Sequence, residues 1–552
     1  MPEPRTTFHR RSTQAIHQAL PVIVLLLFFG VLFGNLLSSH MLFRKAGGLY
    51  SGGSTWGDLA WHLSMVSNFA ERGWVAVREN PIFPGTRLSY PFLPDLLSAW
   101  LVRCGFSLQA ALILPTFVTI LGTVVALYFL ARSIIGATLE ALIVPVLFFF
   151  NGSIVGCYYL WRDYQNASFL GLSAFFDNLP HDYSHLIEHN IHFSNIVADY
   201  MLPQRACVFG LGLGILAVQF YWFYWEHSKP RHLFYAGLVL SFMPLVHFHS
   251  FVALVIVGGF LFFIQLYVEP QHWRRSLLSW SWFAIPLIAI ALPQTVWISP
   301  AHARSFFRIQ LGWMKGNEPV WLFWLKNLGP HLFIFALAYF LAKSKLRTFY
   351  LAFVGLFLLT NVVIFQPYDF DNMKLMLWWF LLSCVLAGCL FQELRRRYAR
   401  RGLILALALT APLIATGAAS VYRELHVSWL MFSAEDIALA RFAQDHTSKE
   451  AVFLTSDKHN NAISCLAGRR ILMGYRGWLW TQGIDYHARE LDIFDMYQGS
   501  DAATGLIQRY GVSYVLIEAN KSRDFHENVG AFLTRFSVVY QSPNYLLFKV
   551  SQ

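Results

Sequence analysis

The sequence is poor in charge. Of 552 residues, 13% are Asp, Glu, Lys or Arg, where soluble proteins carry about 25%. A chain with so few charges cannot cover a folded surface with polar groups in water, which excludes an ordinary soluble globular protein. Cysteine is scarce too. The six cysteines form no CxxC and no zinc-ligand spacing, which excludes a disulfide framework and a zinc ribbon. Cys384 and Cys389 fall inside an apolar run as packing residues. Cys157 and Cys207 fall on one side of the membrane, and nothing requires a bridge between them. There is no GxGxxG and no P-loop, so no nucleotide is assigned. There is no internal repeat and no low-complexity linker.

What is abundant is apolar. Hydrophobic residues make up 56% of the chain, with 50 Phe, and the mean hydropathy is +0.46. Lipid must be part of the solvent. The net charge of +11 could suggest nucleic acid, but the positive residues cluster at the ends of apolar runs on one side, so no nucleic-acid partner is expected.

Apolar runs of about 18 or more residues read as membrane-spanning helices. About eleven are expected, near 17–39, 108–131, 138–157, 206–225, 233–248, 250–268, 280–298, 329–343, 348–366, 374–392 and 402–421. The first follows Arg5, Arg10 and Arg11 and reads as a retained anchor rather than a cleaved signal. Lys and Arg of the short connections then orient the chain. Arg132, Lys229, Arg231, Arg274, Arg275, Lys343, Lys345, Arg347, Arg395, Arg396, Arg397, Arg400 and Arg401 occupy every second connection. The N-terminus is therefore expected in the cytoplasm of a cell whose plasma (inner) membrane the chain crosses. The loops 40–107, 158–205, 299–328 and 365–373, and everything after 421, are expected outside. Thus 1–421 reads as a polytopic α-helical membrane domain. Residues 422–552 read as an extracytoplasmic α/β domain, because β-rich runs (Ala451 to Leu454, Tyr514 to Ile517, Ser537 to Tyr540, Tyr545 to Val550) alternate with helical ones (Ala434 to Gln444, Ala502 to Tyr510).

The outer loops hold the unusual polar residues. The first contains Trp56-Gly57-Asp58-Leu59-Ala60-Trp61-His62, then Tyr90-Pro91-Phe92-Leu93-Pro94-Asp95. Asp58 and His62 are four apart and share a face if the stretch is helical. An Asp just outside a membrane helix can act as a general base, with a His to orient or tune it. The plainer reading makes Gly57-Asp58 the cap of a helix over Leu59 to Phe69. In the second loop, His181, His185, His189 and His192 follow a spacing of 4, 4 and 3, beside Glu188. On a helix this stripe, with His185, Glu188, His189 and His192 as ligands, can hold a divalent metal. The alternative is an interfacial helix with its polar face to water. That loop closes on Leu202-Pro203-Gln204-Arg205, where Arg205 can grip a phosphate or simply snorkel to the interface. His247 and His249 sit at the outer end of a span, as a cavity-facing pair or as interfacial histidines bonded to backbone. The last outer loop reads Phe365-Gln366-Pro367-Tyr368-Asp369-Phe370-Asp371-Asn372-Met373-Lys374. Lys374 opens a span on the side where the positive-inside bias gives it no topological role. It can neutralise a lipid phosphate, or pair with Asp369 or Asp371.

Together these features resemble the GT-C class of membrane glycosyltransferases. That class includes protein O-mannosyltransferases, the aminoarabinose transferases of lipid A, arabinofuranosyltransferases and oligosaccharyltransferases. The resemblance spans the whole chain in architecture. Locally it rests on Gly57-Asp58 with His62, on Leu202-Pro203-Gln204-Arg205, and on Asp371-Asn372-Met373-Lys374. Ala467-Gly468-Arg469-Arg470, Gly474-Tyr475 and Gly477-Trp478 add to it. It implies a sugar donor on a polyprenyl phosphate and a glycan, lipid or protein acceptor on the outer side. It further implies Asp58 and His62 as catalytic groups and Arg205 and Lys374 as phosphate-holding groups. Asp95, Gln204, His247, His249, Asp371 and Asn372 would support them. No organic cofactor is implied. A transporter or flippase for a lipid-linked substrate, or a non-catalytic assembly protein, would carry similar outer polar residues. Scarce mid-span charge and the lack of a repeated pair of broken helices weigh against the transporter.

Overall fold

The computed structural model describes residues 5–299, 307–500, 502–519, 525 and 527–550, with side chains from residue 19 onward except that of residue 170. The side chains of Arg5, Arg10 and Arg11, and residues 300–306 of the expected outer loop, lie outside the described residues. The chain folds as two compact units. The first comprises Met1–Leu37, Thr116–Pro293 and Arg308–Val427; the second comprises Ser38–Pro115, Gln294–Phe307 and Ser428–Gln552.

The first unit is helical, and the chain is a multi-pass membrane protein. Among the described residues six helices are long and apolar enough to cross a membrane: Ala19–His40, Leu108–Ile135, Arg205–His227, Phe248–Val268, Pro270–Ile298 and Asp369–Glu424. A seventh span is formed if Val320–Leu328 and Pro330–Leu341, bent by 93°, act together. The bend falls on Gly329, at φ 51°, followed by Pro330. Proline lacks the N–H that would continue the first helix. Other expected runs form shorter helices. Thr138–Phe149 stops well short of residue 157, and Pro230–Ser241 stops short of 248. Ser344–Thr360 has 17 residues.

The expected spans 374–392 and 402–421 lie in one long helical stretch, Met373–Glu424. Straight, its 52 residues would run ~78 Å, over twice the ~30 Å hydrocarbon thickness. It is broken at Ala399, which adopts a left-handed φ of 47°. The arginine-rich segment around the break is tied down by an ion pair from Arg395 to Glu140, whose side chain is 2% exposed. Close helix approach is secured by small residues. A Cβ on Gly417 would strike the carbonyl oxygens of Phe150 and Asn151, and one on Gly214 would strike the Trp378 ring. All six cysteines are free thiols.

The second unit contains both larger sheets. Phe43–Lys45 and Gly48–Gly52 form a hairpin, and Ser428–Phe432 adds antiparallel to its second strand. The hairpin turn places Ala46 at φ 48° and Gly47 at φ 79°, the double positive φ of a two-residue turn that matches strand twist. A five-stranded sheet runs in the order Arg470–Ile471, Val452–Leu454, Tyr514–Glu518, Tyr545–Lys549, Ser537–Gln541. The first three strands are parallel and the last two pair antiparallel. Helix Ala434–His446 opens with a capping box in which Ser433 and Asp436 bond each other's backbone.

Helix Thr55–Arg72, from the first outer loop, belongs to this same unit and packs against Leu93–Arg103 and Ala462–Cys465. Ser67 donates to the carbonyl of Cys465 (2.7 Å) and Asn68 to that of Gly468 (3.0 Å). Gly468 sits at φ 65°, and a Cβ there would lie 2.5 Å from the Ser67 carbonyl oxygen. Arg469, 1% exposed, bonds Glu71 at 3.0 Å, and Arg470 bonds Glu79 at 2.9 Å. The Ala467-Gly468-Arg469-Arg470 run is therefore a joint. Its glycine permits backbone approach and its arginines clamp the helix.

Candidate functional site

In the second unit the site is built on helix Thr55–Arg72. The helix begins at Thr55, preceded by Ser54 with no side-chain cap bond. This corrects the capping expectation: Asp58 lies inside the first turn, half-buried, and is not the N-cap. A carboxylate there is favoured by the partial positive charge of the first-turn N–H groups. His62, one turn later and 1% exposed, lies on the same face. Its Nδ1 is 2.9 Å from Oδ2 of Asp95, and both side chains are 1% exposed. Asp95 stands in the first turn of Leu93–Arg103, a helix with proline at its start. Helices Thr55–Arg72 and Leu93–Arg103 thus meet through a buried imidazole–carboxylate pair, one helical turn after Asp58. Tyr90 lies against His62, with ring centroids 6.4 Å apart.

In the first unit the second outer loop departs from expectation. Residues 181–192 do not form one helix, so the four histidines share no face. Asp182 accepts from the Ser184 N–H (2.8 Å) and hydroxyl (2.7 Å), Leu186 and Ile191 form an isolated bridge, and Ile187–His189 is a single 3-10 turn ended by left-handed Asn190. Local side-chain bonds to the backbone compete with helix formation here. His181 is exposed, 3.8 Å from Asp163. His185 pairs with Asp199 at 2.9 Å and stacks on Phe370. His189 stacks on Tyr159 with centroids 3.9 Å apart and lies 3.9 Å from Glu188. His192 is buried against Trp313 and Phe323. Among the described residues no group of three or more His, Cys, Asp or Glu is arranged to hold a metal ion.

The loop does contain a cluster that the sequence reading missed. Asp182 is half-buried, accepts also from Ser420, and is pushed up to about 6 by desolvation and by the nearby charge of Asp199. Burial works against protonation of His185. The Asp199 bond and the Asp199 and Asp182 charges outweigh it and raise the imidazole above its ordinary value. Asp199 lies in a π-helical turn, Val197–Met201, a distortion frequent at functional sites. The sequence signal is slight: Asp182 falls within the His-rich run and Asp199 follows it.

Arg205 opens helix Arg205–His227, just after Gln204. It is fully buried and its Nε donates to Thr116 at 3.1 Å, so it does not snorkel into open solvent. Lys374 lies in the first turn of the long helix, with its Nζ 2.9 Å from Asp371 Oδ1 and its side chain 5% exposed. The other oxygen of Asp371 lies 3.9 Å from His249 Nε2. The His249 ring lies 5.4 Å from that of His247, which bonds Ser250 at 2.8 Å. Lys374, Asp371, His249 and His247 therefore form one chain of contacts. Asp369 pairs elsewhere, with Arg308. Asn372 is structural: it accepts from the Phe365 N–H and donates to the carbonyls of Thr360 and Val363.

No protein-family model and no curated protein matches the sequence. Solved structures do match in fold. ArnT from Cupriavidus metallidurans, in the apo state, aligns over 97% of this chain and 98% of its own, with a TM-score of 0.51 and 10% identity. Bound to undecaprenyl phosphate, ArnT aligns over 96% and 97%, with a TM-score of 0.50 and 10% identity. The oligosaccharyltransferase of Archaeoglobus fulgidus, tethered to an acceptor peptide, aligns over 96% of this chain and 74% of its own, with a TM-score of 0.51 and 10% identity. The chain has the GT-C fold. At this identity only the fold is carried across. The GT-C resemblance expected from Asp58, Arg205 and Lys374 thus holds at the level of architecture, over nearly the whole chain.

Proposed function

We propose that this chain is a membrane glycosyltransferase that moves a sugar from a polyprenyl-phosphate donor to an acceptor outside the cytoplasm. In this reading it crosses the plasma membrane about eleven times, with the N-terminus inside and residues 422–552 as an outer α/β domain. The GT-C fold supports the class. One structure of that fold carries undecaprenyl phosphate, and an oligosaccharyltransferase from Archaeoglobus fulgidus carries dolichol-phosphate and a peptide. Such a donor explains an embedded enzyme, because the isoprenoid tail stays in lipid while the headgroup reacts at the surface.

The observation that carries the mechanism is a carboxylate, Asp58, held in a helix's first turn beside a buried His62–Asp95 pair. Asp58 accepts the proton of the acceptor group as that group attacks the anomeric carbon. The bond from that carbon to the lipid phosphate breaks in the same displacement, inverting the centre, and polyprenyl phosphate leaves. Asp95 fixes the orientation of His62, and His62 in turn limits the positions open to Asp58. Arg205 and Lys374, both in the first unit, are the cations proposed to hold a lipid phosphate, a large electrostatic term where water is excluded. Asp371 holds Lys374 in place, and His249 approaches the other oxygen of Asp371.

The deciding experiment isolates the protein in nanodiscs with its co-purified lipid and follows product by mass spectrometry. A new glycosidic bond, lost in an Asp58→Asn variant of unchanged melting temperature, is the expected result. Substrate movement across sealed vesicles without a new bond would establish a transporter instead. Full complementation of the cell by Asp58→Asn would favour an assembly protein.

A further inference from the structure

Six aromatic side chains of the second unit converge beside the first turns of helix Thr55–Arg72: Trp56, Trp61, Tyr90, His459, Tyr475 and Trp478. Trp56 meets His459 at 4.1 Å between centroids, Trp61 meets Tyr90 at 5.4 Å and Trp478 at 5.9 Å, and Tyr475 meets Trp478 at 5.3 Å. Trp56 is fixed in place by its Nε1–H, which donates to the Leu430 carbonyl at 2.9 Å. A Cβ on Gly477 would lie 2.5 Å from the Tyr475 ring, so the glycine is what lets that ring fold back.

A purely structural aromatic core would satisfy its polar atoms. This one does not. Trp61 is 3% exposed, yet among the described residues its Nε1–H has no hydrogen-bond partner, and the buried Nε2 of His459 has none either. Burial and the neighbouring Lys458 keep the His459 ring neutral, so it can accept as well as donate. The nearby cations are engaged: Lys458 with Glu518, and Arg476 with Asp457 and Glu490. A ligand of this cluster is therefore uncharged, flat on an apolar face and hydroxylated at its edge.

We propose that the cluster is a saccharide subsite, in which the C–H face of a sugar ring stacks on Trp478 and Tyr475 while its hydroxyls bond His459 Nε2 and Trp61 Nε1. Apolar walls with a few fixed polar atoms are how such sites orient a ligand. Tyr475, 44% exposed, is the ring of the cluster that a ligand meets from the surface. Trp61 stands three residues after Asp58 on the same helix, so a sugar held here is presented to the proposed base. In that respect the inference rests on the glycosyltransferase reading.

The test is saturation-transfer NMR on the full chain in nanodiscs, with methyl glycosides of common hexoses and pentoses as probes. Wild type is expected to saturate the ring protons of at least one probe. Trp478→Ala and, independently, surface-exposed Tyr475→Ala should each weaken binding about tenfold, equivalent to ~1.4 kcal/mol. Trp478→Phe should restore most of it, and Trp480→Ala, a change at an exposed neighbour, should alter nothing. Absence of transfer in wild type, or equal binding in Tyr475→Ala, overturns the proposal. Photoreactive probes then separate the sources. Labelling near residues 475–478 by a polyprenyl-phosphate hexose marks the donor sugar, labelling by the methyl glycoside marks an acceptor glycan, and labelling by neither overturns the site. Binding needs no turnover. If Asp58→Asn keeps full transfer while the labelling stands, the base assignment fails and the subsite survives.

Discussion

The two units treat their polar residues differently. In the second, His62 and Asp95 are both 1% exposed and bonded at 2.9 Å, a closed pair with little room to move. In the first, Lys374 holds Asp371 at 2.9 Å, but Asp371 is 19% exposed and its other oxygen only approaches His249, at 3.9 Å. The difference suits different tasks. A base must be preorganised, since misplacement is costly in rate. A group that receives a leaving phosphate must exchange one anionic partner for another, which a fully satisfied pair resists. In the proposed mechanism, Asp371 is the stand-in anion from which Lys374 is borrowed.

The comparison breaks first at Asp58. Asp58→Asn should lower transfer about 10²–10⁴-fold, the range for general-base catalysis, with thermal melting unchanged. Turnover within threefold of wild type would remove Asp58 from the mechanism. Next, Lys374→Ala should lower kcat/KM for the donor about tenfold to a hundredfold, matching ~1.5–3 kcal/mol for a charged hydrogen bond. Its effect on folding should be smaller, and equal stability with unchanged turnover would refute the role. Asp95→Ala should show the reverse balance. It leaves a buried imidazole unpaired and should cost ~1–3 kcal/mol of stability, measured by melting in nanodiscs, while donor affinity stays near wild type.

A smaller effect is expected at Asp182. Its carboxyl titrates at about 6 in the folded protein, against 3.8 ordinarily. The folded state therefore holds a proton that the unfolded state has released. Stability conferred by that proton is present at pH 4 and falls as pH rises toward and through 6, by at most ~3 kcal/mol. Asp182→Asn should flatten this part of the melting-temperature profile relative to wild type, and an unchanged profile would refute it. Smallest of all, His189→Ala loses a stack on Tyr159 and should cost ~0.5–1.5 kcal/mol. Chelator-sensitive turnover that disappears in this variant would instead revive the divalent-metal reading of the His-rich loop.

Where one physical rule dominates, structure is legible in sequence. The long apolar helices and the strands Val452–Leu454, Tyr514–Glu518, Ser537–Gln541 and Tyr545–Lys549 follow from hydropathy and periodicity, because burial in lipid or in a sheet is set residue by residue, whereas the short strand Arg470–Ile471 carries no such signal. Residues 181–192 depart from the expected helix, because Asp182 and Asn190 turn the chain through local bonds that no spacing rule reveals. His62 and Asp95 stand 33 residues apart, and no spacing rule pairs them. Gly474-Tyr475 and Gly477-Trp478 stand in the sequence only as a pattern, since the meeting of Trp478 with Trp61 joins positions about 400 apart.

By itself, then, the sequence determined the solvent this chain requires and the helical character that follows from it, because backbone groups in lipid must bond within their own helix. It also marked the outer loops as the place where polar chemistry gathers. Tertiary structure alone decided which of those polar groups meet. The His62–Asp95 pair, the Lys374–Asp371–His249 chain and the aromatic cluster each depend on distances that arise only when remote segments pack, and no local preference encodes them.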